Sequence, residues 1–224
     1  MHKILFFGLT GLGNSILKGL INTNCEIIGL VTDKQYCGFK YYEEIPLDIF
    51  AQSNSIPVFY SLEHADLLSY DTIVVGSYSK KIPEKIILNA KLAINIHPSL
   101  LPDYRGANPY YWAIKNEEKE TGVTIHRLTR NLDDGEYLLQ GCYTIKSNET
   151  QGSLRKELSL LGERLILIYF QNTTYWNARP VIKSHNSIKY APRVQDAERR
   201  ILDIYEVGTQ DSHRRALTPY PGYI

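Results

Sequence analysis

The first hundred residues alternate between short apolar runs and segments of helical spacing, and this alternation restricts the fold more than any other feature. KILFFG, residues 3–8, is an apolar run closed by glycine, which suits a strand buried on both faces. After Gly13, the apolar residues Ile16, Leu17, Leu20 and Ile21 recur at helical spacing. EIIGLVTD reads as a second strand and IPLDIFAQSNS as a short helix ended by polar residues. IPVFY and TIVVG are further strands, and PEKIILNA is a helix opened by proline, where a missing N–H costs nothing. Strands alternating with helices imply βαβ units, so the expected fold is α/β with a doubly wound, mostly parallel sheet.

From about Thr121 the pattern changes. TGVTIHRL and YLLQGCYTI are strand-like and separated by the polar turn TRNLDDGE. Leu154, Leu158, Leu161, Leu165 and Ile168 then step by four and three, which predicts an amphipathic core helix with Thr150 as N-cap. A chain of 224 residues suits one domain with an appendage. We divide it into a core over 1–175 and a short β-rich C-terminal extension over 176–224, packed on the core or at a dimer interface.

Charge narrows the partners. With 25 Lys+Arg against 24 Asp+Glu the net charge is +1, so no global basic field exists for non-specific nucleic-acid binding. No apolar run approaches the ~18 residues of a membrane span, and the N-terminus lacks the pattern of a secretory signal. Cys25, Cys37 and Cys142 are odd in number and lack C-x-x-C spacing, as expected of reduced thiols and not of a metal site. A cytoplasmic protein is expected.

One glycine loop, FGLTGLGNSI, follows a strand and opens a helix, and Asp33 ends the next strand, as in nicotinamide-dependent oxidoreductases. The spacing fails, however, because Ile16 stands where the third small residue belongs. A tight strand-to-helix turn, with Asp33 as an ordinary loop acid, is the expected reading.

The informative stretch is LAINIHPSLLPDYRGANPYYWAI. In a strand Ala93, Asn95 and His97 share one face, and Pro98 ends the strand. An amide and an imidazole then project together at the carboxyl end of a buried strand, where α/β crevices form. If the strand over GVTIHRL is its neighbour, the loop with Asp133 and Asp134 covers the same crevice. An aspartate there can orient the imidazole and stabilise its charged form. Without a nucleophilic Ser or Cys, these groups suit direct attack by one substrate on another, the amide holding an oxyanion. Ser99 in HPSLLP is not on a G-x-S-x-G elbow and reads as a loop or binding residue. His126 lies mid-segment and reads as a core histidine.

NIHPSLLPDYRG, followed by GVTIH and LDDG, resembles the 10-formyltetrahydrofolate-dependent formyltransferases, and YAPR and HRRALTPYPG resemble that family's tail. The resemblance implies a Rossmann-like formyltransferase fold, with Asn95, His97 and Asp133 matching the catalytic residues. Asn95 would stabilise the tetrahedral oxyanion, and His97 would handle charge and protons. Asp133 would raise the histidine pKa and relay protons. Contacts to N10-formyltetrahydrofolate are implied at Tyr78, Ser79, Lys80 and Lys81, at Ser99, Leu100, Leu101 and Pro102, and at Thr129, Arg130, Asn131 and Leu132. No metal is implied, and a homodimer is.

Three branches compete. The form DYRGANPYYWAI resembles the tRNA and sugar-nucleotide branches more than glycinamide ribonucleotide formyltransferases. A methionyl-tRNA enzyme would carry a further C-terminal barrel, and near-neutral charge does not suit a polyanion the size of tRNA. The expected acceptor is therefore a nucleotide-linked amino sugar for surface polysaccharide. Arg105, Lys80 and Lys81 are candidates for its phosphates, and Tyr110 and Trp112 for stacking on base or sugar. Ala107 stands where some aminoarabinose-modifying relatives carry a basic residue.

Overall fold

The computed structural model describes residues 2–33, 45–171, 188–194 and 211–217. Strands β1 (Lys3–Gly8), β2 (Glu26–Val31), β3 (Val58–Phe59), β4 (Thr72–Gly76) and β5 (Leu92–His97) pair in parallel. β6 (Arg105–Gly106) stands outside this sheet, while β7 (Glu120–Arg127) and β8 (Tyr137–Thr144) extend it antiparallel. The order is β3-β2-β1-β4-β5-β7-β8. The helices are α1 (Leu12–Ile21), α2 (Leu47–Ser53), α3 (Glu84–Leu88), α4 (Pro109–Lys115), α5 (Gln151–Gln171) and α6 (Asp211–Leu217).

Because strand side chains alternate, each buried strand feeds two cores. Ile4, Phe6, Ile94, Ile96 and Val123 pack on one face with Ile16 and Leu20 of α1, Tyr111 of α4 and Leu158 and Ile166 of α5. Leu5, Phe7, Ile73, Val75 and Ala93 pack on the other with Ile86 of α3 and Ala65. Asn95 and His97 thus share the face of the second, smaller core.

α1 and α5 approach closely at small residues: a Cβ on Gly19 would lie 2.5 Å from Ile166 Cγ2. Thr150 caps α5, its hydroxyl accepting from the Ser153 N–H at 3.2 Å. The buried stripe of α5 differs from the expected one at its end. Ile168 is 40% exposed, and Ile166 and Tyr169 are buried instead. A helix turning 3.6 residues per turn drifts off a strict four-three repeat over 21 residues.

The described part of the tail is bound to the site region. β9 (Tyr190–Ala191) pairs in parallel with β6. The Trp112 indole N–H donates to the Pro192 carbonyl at 2.8 Å, and the Val194 N–H to Asn108 Oδ1 at 3.1 Å. The remaining tail expectations, and Cys37, lie outside the described residues.

Candidate active site

β5 and β7 pair with Asn95 opposite His126 and His97 opposite Thr124. The β5–β7 ladder runs one residue past Arg127, and the loop that follows brings Asp133 onto the polar face of β5. The Leu128 N–H donates to the Ala93 carbonyl at 2.9 Å. Asp133 Oδ1 accepts from Asn95 Nδ2 at 3.3 Å, and Asp133 Oδ2 lies 3.5 Å from His97 Nδ1. Asp133, distant in sequence from Asn95 and His97, forms one contiguous group with them, and His97 and Asp133 are 4% and 6% exposed.

Asp133 is also gripped from the other side. Its Oδ2 accepts from the Gly106 N–H at 3.0 Å, and Arg105 Nη1 pairs with Asp134 at 2.5 Å. Gly106 has φ +124°, and a Cβ there would meet the Ala191 carbonyl oxygen at 2.5 Å. Only glycine fits between the carboxylate and the tail strand. Asp133 itself has φ +50° and Tyr104 φ +62°, left-handed conformations that non-glycine residues hold only when their surroundings fix them.

The imidazole of His97 faces two acceptors. Its Nε2–H donates to the Tyr104 carbonyl at 2.8 Å, the shorter contact, so in the neutral ring Nδ1 is bare and turned to Asp133. Burial pushes the His97 pKa below its ordinary value, and the Asp133 charge and the Tyr104 carbonyl offset this only in part. Asp133 does act to raise the histidine pKa, as expected, but loss of solvent outweighs the carboxylate and the net direction is downward. Burial alone would raise the Asp133 pKa, but His126, His97 and the Gly106 N–H together hold it below the usual carboxylate range. The resting site is a neutral imidazole beside an ionised carboxylate. A proton taken up at Nδ1 meets its counter-ion at once.

His126 is buried, as its reading as a core histidine expects, and it also borders this group. Its Nε2 lies 3.0 Å from Asn95 Nδ2 and 3.5 Å from Asp133 Oδ1. With its Nδ1 turned to the Arg127 carbonyl at 2.9 Å, Nε2 is the acceptor for the amide. The Asn95 N–H bonds are thus directed to Asp133 and His126 here, and donating to an oxyanion requires the amide to redirect one of them.

The other expected contacts divide. Ser99 is fully buried, its hydroxyl donating to the Asp103 carbonyl at 2.7 Å, and the Leu101 N–H and carbonyl are held by Thr124 and Gln140. That pins the 99–102 loop to β7 and β8 beside His97. Tyr78 stacks edge-on against Phe7, and Ser79 and Lys80 both bond Asp33. Thr129 and Asn131 bond within their own loop, Arg130 pairs with Glu84, and Leu132 is 73% exposed. Tyr110 is buried under the Arg155 guanidinium, and Trp112 is tied to the tail, so both are held by packing partners and not by the Asn95 group. The glycine turn is internally occupied, because the Gly11 N–H donates to Asn14 Oδ1 at 2.9 Å. A phosphate would have to displace that bond, and Asp33 is already engaged.

Residues 2–168 match the formyl transferase family model. A methionyl-tRNA formyltransferase of Pediococcus pentosaceus is 32% identical over 99% of this chain and 73% of its own length. One from Lactobacillus delbrueckii subsp. bulgaricus is 29% identical over 99% and 74%. The N-formyltransferase of Helicobacter canadensis, solved with folinic acid and dTDP-3-aminofucose, superposes with a TM-score of 0.74 at 21% identity. That match covers 96% of this chain and 80% of the other.

Proposed function

Since the chain belongs to the formyl transferase family, a family of folate-dependent enzymes, we propose that its acceptor is the primary amine of a nucleotide-linked amino sugar, such as dTDP-4-amino-4,6-dideoxyglucose. In that reaction the amine attacks the formyl carbon of N10-formyltetrahydrofolate and loses a proton. The C–N bond to the folate breaks, and its nitrogen regains one. Asn95 donates to the formyl oxygen as it gains charge. His97 receives the amine proton at Nδ1, where Asp133 balances it, and returns it toward the leaving nitrogen. Tyr78–Lys81, Ser99–Pro102 and Thr129–Leu132 border the folate, and the product serves surface polysaccharide assembly.

The observation that carries the formyl-transfer site is the convergence of Asn95, His97 and Asp133 on the polar face of β5. The sugar acceptor is supported by the cations around it. Lys80, Arg105, Arg127 and Arg130 pair with Asp33, Asp134, Glu136 and Glu84, which favours a small anionic group over a long polyanion. A methionyl-tRNA acceptor is the second reading, favoured by the sequence relatives. The deciding experiment supplies N10-formyltetrahydrofolate with 3- and 4-amino sugar nucleotides, glycinamide ribonucleotide and initiator methionyl-tRNA, and follows the formyl mass gain. Transfer to a sugar nucleotide is expected, and transfer to methionyl-tRNA alone would reject this acceptor. Asn95→Ala and His97→Ala should each fold and lose transfer, and unchanged turnover in both would reject the site.

A further inference from the structure

Tyr104 holds the imidazole of His97, and all of its own polar atoms are engaged. Its carbonyl accepts from His97 Nε2–H at 2.8 Å, and its N–H donates to the Lys189 carbonyl at 2.6 Å. Its hydroxyl donates to Glu118 Oε1 at 2.5 Å and accepts from Asn116 Nδ2 at 3.1 Å. Lys189 Nζ donates to the same Glu118 oxygen at 2.5 Å, and the Lys189 N–H reaches Asp103 Oδ1 at 3.4 Å. The residue sits at φ +62°, a conformation that costs on the order of 1–3 kcal/mol and persists only where surrounding contacts fix it. Glu118 supplies the acceptor on which two of those contacts meet.

We infer that Glu118 is a positioning residue for His97: by clamping the Tyr104 hydroxyl and Lys189 together, it holds the Tyr104 carbonyl on Nε2 and so fixes which ring nitrogen is bare. Asp133 faces His97 Nδ1 from the other side at 3.5 Å, and its carboxylate prefers a donor opposite it; the His126 ring lies edge-on 6.5 Å away, with its Nε2 turned to Asn95. Without the Tyr104 carbonyl, the neutral ring has reason to move its hydrogen to Nδ1, toward Asp133. That tautomer lacks a base on the carboxylate side. The clamp also joins the site to the tail, since Lys189 lies beyond the residues matched by the family model.

The test reads the ring directly and does not depend on the identity of the acceptor. In ¹⁵N-histidine-labelled protein, the His97 nitrogens are observed at a pH where the ring is neutral. The native protein should show the Nε2–H tautomer. Glu118→Ala should populate Nδ1–H, while Glu118→Gln, which keeps an acceptor for the hydroxyl, should largely retain the native pattern. With a reacting acceptor in hand, Glu118→Ala should lower kcat about tenfold or more and leave both KM values within about twofold. Should Glu118→Ala not fold, Tyr104→Phe removes only the hydroxyl and should shift the tautomer in the same direction. Native ¹⁵N shifts in the folded variant overturn the inference. The kcat prediction rests on the proposed reaction, but the tautomer shift stands without it, so the two can fail separately.

Discussion

At the residue scale, buried polar contacts decide the state of the site. Asp133→Asn keeps the shape and the acceptor oxygen but removes the charge that balances a protonated His97. The His97 pKa should then fall further, and kcat should drop by about two orders of magnitude or more, in line with the loss of a general acid–base partner. A kcat–pH profile checks both. The depressed His97 pKa also sets a stability trend. The folded protein resists a proton that the unfolded chain accepts near pH 6.5, so this stabilisation is present above about that pH and declines as pH falls. Asp133, also depressed, erodes stability at still lower pH, through the carboxylate range. Melting temperatures recorded from about pH 7.5 to 5 should fall, and less steeply in His97→Gln. Asn95, His97 and Asp133 were legible because strand alternation and a proline fix where the first two point. The contact of His126 with Asn95 was not legible, because it follows from an antiparallel pairing that only the folded sheet displays. The net direction of the His97 pKa was not legible either, because burial, which outweighs Asp133, is a property of the whole packing.

At the scale of elements, the two-residue strand β6 joins the Asp133 loop to the tail. Gly106→Ala should cost about 1–3 kcal/mol, from a left-handed φ and a Cβ against the Ala191 carbonyl, and should weaken the N–H bond to Asp133. Thermal denaturation together with kcat tests this, and a stable, fully active variant would show that the tail strand yields freely. β1 and β4 were readable as short apolar runs, and β5 and α5 by their periods, because each carries enough apolar residues to register. β6 and β9 are too short to show one, and their pairing joins residues 105–106 to 190–191 across the chain. No local pattern encodes such a contact.

For the whole molecule, near-neutral charge and paired cations predict a shallow salt dependence. If the acceptor carries a diphosphate, log KM should rise with log salt at a slope of about 2 or less, as expected for about two neutralised phosphates. A much steeper slope would indicate a longer polyanion. Among the described residues no helix is long and apolar enough to cross a membrane. The reversal of strand direction between β5 and β7 has a wider consequence. A further parallel strand would need a crossover helix laid on one face of the sheet. Chain reversal here needs none, and on the second core's side the loop after β7 lies over Asn95 and His97, while Ala93 packs with Ile86 of α3. The polar group at the end of β5 is therefore roofed by a loop and not by a helix, and that roof can change in length while the sheet's own hydrogen bonding stays intact.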